Sequence, residues 1–228
     1  MARANQSARL VLPLLLLASL PAAQSYTVTD LGVLSGDASS EGRAISPGGE
    51  IVGDVETNLQ GVVWSPSHGM LGLPHLKGGR YSVAMGINAT GLIAGYATYN
   101  EIESTPAVLW TYSGVQDLGT LPGGTESWAA AINVSGQVVG GSDSATTSPN
   151  AFLWSKDRGM QALGVQGYYS EAFGVNNLGQ VVGMSNTTRG SWHGFSWTKS
   201  IGIKDLGTLD SGSGLLNGQS HAFLLTLQ

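Results

Sequence analysis

After one long, mostly apolar stretch, Leu10–Leu20, the apolar residues come in short runs that alternate with small and polar ones and return at a fixed spacing. The segment Ala131-Ile-Asn-Val-Ser-Gly-Gln-Val-Val-Gly140 has close counterparts at Ala44–Gly53, Gly86–Gly95 and Gly174–Gly183. Its anchors Ile45, Ile87, Ile132 and Val175 lie 42, 45 and 43 residues apart. Other positions keep the same phase: Leu31, Leu73, Leu118 and Leu163 upstream, Ser40, Ser82, Ser127 and Ser170 five residues before the anchor, and Trp64, Trp110, Trp154 and Trp197 after it. Self-similarity at such a period marks a repeat architecture.

Each unit predicts four short strands. The first is Asp-Leu-Gly-Thr-Leu (117–121 in the third unit), the second ends on the anchor, the third is Gln-Val-Val-Gly, and the fourth ends on Trp, as in Asn150–Trp154. Between the second and third, Asn-x-x-Gly has the chemistry of a type I turn followed by a left-handed residue, which assigns Gly49, Gly91, Gly136 and Gly179 to positive φ and makes a hairpin. In the second strand the positions one, three and five before the anchor are small, so that face packs closely on a neighbour. A second glycine column, Gly53, Gly95, Gly140 and Gly183, falls inside the third strand, where close approach of another backbone is the expected reason.

Four strands in about 44 residues, repeated, is the period of a propeller blade. The fold class predicted is therefore all-β, a β-propeller-like array with units at about 26–70, 71–115, 116–160 and 161–203 and a truncated one at 204–228. A β-solenoid is the competing architecture, with shorter coils. In the truncated unit Leu206 and Leu225 are 19 residues apart, against 36 from Leu118 to Trp154, so the central hairpin is missing. The expectation is a fifth unit of two strands that closes against the first, because an open array leaves strand edges exposed.

Composition adds an address. Arg3 and Arg9 precede the apolar run, and small residues end at Ala23-Gln24-Ser25, which reads as a secretory signal peptide over residues 1–25. Its apolar core is about half of what a spanning helix needs. Cleavage would leave a single repeat domain at 26–228 with 8 basic and 15 acidic residues, a secreted chain, extracellular or periplasmic, with no transmembrane segment or anchor. That charge argues against nucleic acid as a partner. The chain has no Cys, which removes thiol catalysis, thiolate metal sites and disulfides together. The 34 glycines and 11% charged residues fit many tight turns in a packed fold, and a monomer is expected.

The blocks Asp-Leu-Gly-Thr-Leu-Pro-Gly-Gly (117–124), Ala-Ile-Asn-Val-Ser-Gly-Gln-Val-Val-Gly (131–140) and Ser-His-Ala-Phe-Leu (220–224), in this order, resemble the HAF-type extracellular repeat of bacterial secreted proteins. The resemblance covers nearly all of residues 26–228. It implies a bacterial, exported, repeat-built protein and transfers no catalytic residue. The name-giving His-Ala-Phe is intact only in the last unit, and the C-terminal sorting segment of many similar proteins is absent, which favours release over anchoring.

No Gly-x-Ser-x-Gly occurs, and His68, His75, His193 and His221 lack metal-ligand spacing. No catalytic residue, cofactor or metal ligand is assigned. His193 and His221 share a repeat position with Gln60, Pro106 and Asn150, where a polar group joining neighbouring units is expected. One Trp per repeat at constant phase reads as core. Tyr81, Trp128, Tyr168 and Tyr169 stand off that phase, all between the first strand and the anchor, where equivalent loops share one rim. The same stretch carries Asp37, Glu41, Glu126 and Glu171, and Asp210 sits in the matching loop of the last unit.

Aromatic faces beside carboxylates suit an extracellular glycan or other cell-surface component, and carboxylates from several loops suit Ca²⁺. A solvated acidic rim that only keeps the protein soluble is the plainer reading. The ligand-binding candidates are thus Tyr81, Trp128, Tyr168, Tyr169, Glu41, Glu126 and Glu171, in a binding or structural module. The alternative is a glycan hydrolase or lyase using two of the rim carboxylates. Asn88, Asn133 and Asn186 match the N-glycosylation pattern, but the first two are also the turn Asn of the repeat.

Overall fold

A computed structural model of the chain describes residues 27–99, 104–145, 149–164 and 166–207 and two short strand segments, 215–216 and 219–220. The chain divides into two compact units, 1–30 and 31–228. Only residues 27–30 of the first are described, without regular structure. The second is all-β among the described residues, and no described helix is long and apolar enough to cross a membrane.

Four antiparallel four-stranded sheets follow one another. They are β1 (Ser40–Ile45), β2 (Ile51–Val55), β3 (Gln60–Ser65), β4 (Gly69–Gly72); β5 (Ser82–Ile87), β6 (Ile93–Ala97), β7 (Ala107–Thr111), β8 (Gly114–Asp117); β9 (Ser127–Ile132), β10 (Val138–Ser142), β11 (Asn150–Ser155), β12 (Gly159–Ala162); and β13 (Ser170–Val175), β14 (Val181–Asn186), β15 (Trp192–Thr198), β16 (Gly202–Gly207). Each sheet is a meander in chain order. The segment expected to open each unit instead closes the sheet before it: β8 ends at Asp117 and pairs with β7, and β16 carries Asp205-Leu206-Gly207 and pairs with β15. Asp205 therefore belongs to the fourth sheet, not to a fifth unit. Residues 215–216 and 219–220 pair with each other, and the expected strand at His221–Leu225 lies outside the described residues.

The hairpin turn forms because one side chain completes it. Asn133 Oδ1 accepts from the N–H groups of Ser135 and Gln137 at 3.1 and 3.0 Å, and Asn88, Asn176 and Ser46 cap their turns in the same way. The turn glycines have φ between 73° and 84°, as the Asn-x-x-Gly pattern requires.

The first strand of every sheet carries a bulge two residues before the anchor, at Arg43, Met85, Ala130 and Phe173. It explains the second glycine column. A Cβ on Gly53, Gly95, Gly140 or Gly183 would lie 1.7–2.0 Å from the carbonyl oxygen of Glu41, Val83, Trp128 or Glu171, so the backbones meet where only hydrogen fits. The bulge also reverses the side-chain alternation, which corrects the expectation of one small-residue face. Ala129 packs toward the preceding sheet, whereas Ala131 packs toward the following one.

The core lies in three layers between consecutive sheets. The first strand of each later sheet nests against the first three strands of the sheet before: β5 on β1, β2 and β3, β9 on β5, β6 and β7, and β13 on β9, β10 and β11. Trp110 and Trp154 are buried in these layers, as repeat-phase aromatics should be, and Trp110 Nε1 donates to Pro74 O at 2.8 Å. Buried serines lock the junctions: Ser82, Ser127 and Ser170 Oγ accept from the N–H groups of Gly61, Ala107 and Ala151 in the preceding sheet at 2.8–3.0 Å. The turn Asn adds a second link, since Asn88 and Asn133 Nδ2 donate at 2.9 Å to the carbonyls of Asn133 and Asn176 in the next unit. These two sequon asparagines are buried and fully used.

Candidate functional site

The aromatic and acidic candidates sit at the sheet ends opposite the Asn turns, on loops whose backbone is held from beside. In the second sheet Thr98 Oγ1 accepts from Tyr81 N at 3.1 Å. In the third, Asp143 Oδ1 accepts from Thr125 and Glu126 N, both at 2.8 Å, and in the fourth Asn186 Oδ1 accepts from Tyr168 and Tyr169 N at 2.7 and 2.8 Å. The third sequon Asn is thus a clamp. Loops fixed in this way lose little entropy when something binds to them.

Three of the candidates meet. Trp128 Nε1 donates to Glu171 Oε1 across the third and fourth sheets, and Tyr169 OH donates to Glu171 Oε2 at 2.9 Å. Burial, reinforced by the Glu171 bond, pushes the Tyr169 hydroxyl up to about 12. The Trp128 indole covers Gly141, where a Cβ would lie 2.5 Å from ring carbon Cζ2. Trp192 joins the group with its ring edge-on to Tyr169, centroids 5.1 Å apart at 75°. It is 45% exposed, and Tyr168, which precedes Tyr169 in the chain, is 65% exposed.

Sequence reasoning missed Trp192. Its signal was available: it is a sixth Trp outside the four of the repeat phase, next to His193. In the register the Trp192 backbone pairs with that of Asn186, the residue whose side chain clamps the Tyr168 and Tyr169 N–H groups.

The other candidates lie elsewhere. Tyr81, on the second sheet, is 48% exposed, and Glu126 is exposed with its side chain bonded to none of this cluster. Glu41 accepts from Arg43 Nη2 at 2.9 Å, and Arg43 Nε in turn reaches the buried Asp54 at 2.5 Å. The Asp54 bond holds the Arg43 guanidinium above its ordinary value. Asp37 accepts from Asn58 N and Nδ2. Asp210 lies outside the described residues.

His193 does not join two units. Its Nδ1 meets both Asp205 oxygens at 2.9 Å within the fourth sheet. Burial pushes Asp205 up, but bonds from Gly207 N and His193 outweigh it and leave the carboxyl below its ordinary value.

A cleft of about 650 Å³ opens at the same end between the second and third sheets. Tyr99, Ser104, Asp117, Thr120 and Thr125 line it, and Tyr99 OH donates to Asp117 Oδ2 at 2.8 Å. It adjoins Glu126 through Thr125. At the Asn-turn end a groove of about 510 Å³ between the third and fourth sheets carries Lys156, Arg158 and Lys199.

Among the described residues no three acidic or histidine side chains gather around a point that could hold a metal ion. Glycoside cleavage needs a carboxyl pair roughly 5–9 Å apart, one to donate a proton and one to act as base or nucleophile. Glu171 has both oxygens engaged by Trp128 and Tyr169, and Glu41 is held by Arg43. No family model matches the sequence, and no curated protein matches it.

Proposed function

We propose that the chain is an exported, propeller-like repeat protein that binds carbohydrate, with Tyr168, Tyr169 and Trp192 forming the contact surface and Glu171 as its anchor. The observation that carries this reading is the clamped aromatic group itself. Tyr168 and Trp192 are large and exposed, on backbone that Asn186 holds, which is costly for a soluble protein unless the rings meet something. Sugar C–H faces stack on such rings.

Export rests on the leader at residues 1–25 and on the resemblance to HAF-type extracellular repeats. The experiment is a panel of bacterial and plant oligosaccharides with thermal unfolding as readout, because a ligand that prefers the native state raises its melting temperature. One or more should stabilise the protein, and the paired Tyr168→Ala and Trp192→Ala substitutions should remove the shift without changing the unliganded melting temperature. An unchanged shift in that variant would dismiss the aromatic surface.

A further inference from the structure

Consecutive sheets are joined by one recurring set of contacts, and among the described residues that set is unused at both ends of the array. The preceding-side face of a unit consists of the serine five before the anchor, the small residue three before it, and the anchor. In the second unit these are Ser82, Ala84 and Ile87, all buried. In the first unit the same positions are Ser40, Gly42 and Ile45, all exposed, Ile45 by 65%. The following-side face is a valine or alanine of the second strand with the turn Asn. Val52, Ala94 and Val139 are fully buried there, whereas Val182 is 52% exposed and Asn176 is exposed beside it.

We propose that these faces meet between copies: β1 of a second chain nests on β13, β14 and β15 of the first, using the contacts that join repeats within a chain. In that junction Ile45 covers Val182, Ser40 Oγ accepts from Gly194 N as Ser82 does from Gly61, and Asn176 Nδ2 donates to the Ser46 carbonyl.

Charge favours this occupant. Residues 31–72 hold five acids against Arg43 alone, while 166–207 hold two acids against three bases, so the first sheet is net acidic and the fourth net basic. The chain's own continuation is a poorer fit, because the 19 residues from Leu206 to Leu225 omit the hairpin that carries the docking face in every other unit. Such a contact is heterologous: it closes a ring if the rotation allows and otherwise grows a filament. It is independent of the carbohydrate reading, which concerns the sheet ends.

The test is molar mass by light scattering on the purified protein over a dilution series, with Val182→Asp and Ile45→Asp variants checked for folding by circular dichroism. The wild type should give at least twice the single-chain mass. Each variant, one tail-blocked and one head-blocked, should fall to the single-chain mass. Mixed, they should give a two-chain complex and nothing larger, because one good head and one good tail remain. A wild type of single-chain mass at every concentration overturns the proposal, and if Val182→Asp then also lowers the melting temperature, the chain's own C-terminal residues cover the face. A wild-type multimer that survives both substitutions overturns it equally.

Discussion

The third and fourth repeats have nearly the same hairpin, Ala131–Gly140 against Gly174–Gly183, and the same backbone, bulge included. Their side chains nevertheless live in different environments. Val139 is fully buried under β13 and Val182 is half-exposed; the Asn133 side chain is buried and bridges to the next unit, while the bonds of the Asn176 side chain stay within its own turn. Local sequence decides the hairpin. The neighbour decides what the hairpin's outward residues are worth, as expected of a quasi-one-dimensional stack in which stability is a sum of unit and interface contributions.

The difference can be broken with a charge. Val139→Asp buries an unpaired carboxylate in the third core layer and should cost more than about 4 kcal/mol in urea unfolding, or abolish folding. In dilute, separated chains Val182→Asp should stay within about 0.5 kcal/mol of wild type. The glycine column should erase the difference: Gly140→Ala and Gly183→Ala each drive a Cβ into a carbonyl of their own sheet and should lose about 3 kcal/mol alike, because that clash owes nothing to the neighbour.

The smallest effect is at the rim. The Tyr169 hydroxyl is raised to about 12 from an unfolded value of about 10, so its contribution is fully present below pH 10 and is lost as the pH rises toward 12. Tyr169→Phe should therefore flatten the fall of the urea midpoint over that alkaline window and leave its neutral-to-acid course unchanged.

Much of this was legible in the sequence, wherever a residue type has one physical use at its position. Asn-x-x-Gly can only turn, a glycine facing a bulge can only allow close approach, and of the repeat-phase tryptophans Trp110 and Trp154 are buried in the core while Trp64 and Trp197 are half-buried. Strand assignment was not legible in the same way, because Asp117 and Asp205 look identical whether their strand opens one sheet or closes another, and only hydrogen-bond pairing distinguishes the two.

The rim was half-readable. Trp128 and Tyr169 stand out as exceptions to the repeat and Glu171 as an acid of the same stretch, and the three do meet. The repeat alignment also places Glu41, Trp128 and Glu171 in one column, but neither the commitment of Glu171 to two donors nor the contact of Trp192 with Tyr169 follows from spacing. Counting acids in a loop says where they are, and not that Asp37 and Glu171 already have partners.

The account rests on the claim that the second and third repeats are each fastened to the next by the turn asparagine. Asn133→Ala and Asn176→Ala, both built on Val182→Asp to keep chain ends apart, isolate that link by urea unfolding. Both lose the same turn cap, but only the first also loses a buried bond to the next unit, so Asn133→Ala should cost about 1–2 kcal/mol more than Asn176→Ala. Equal losses would contradict the claim.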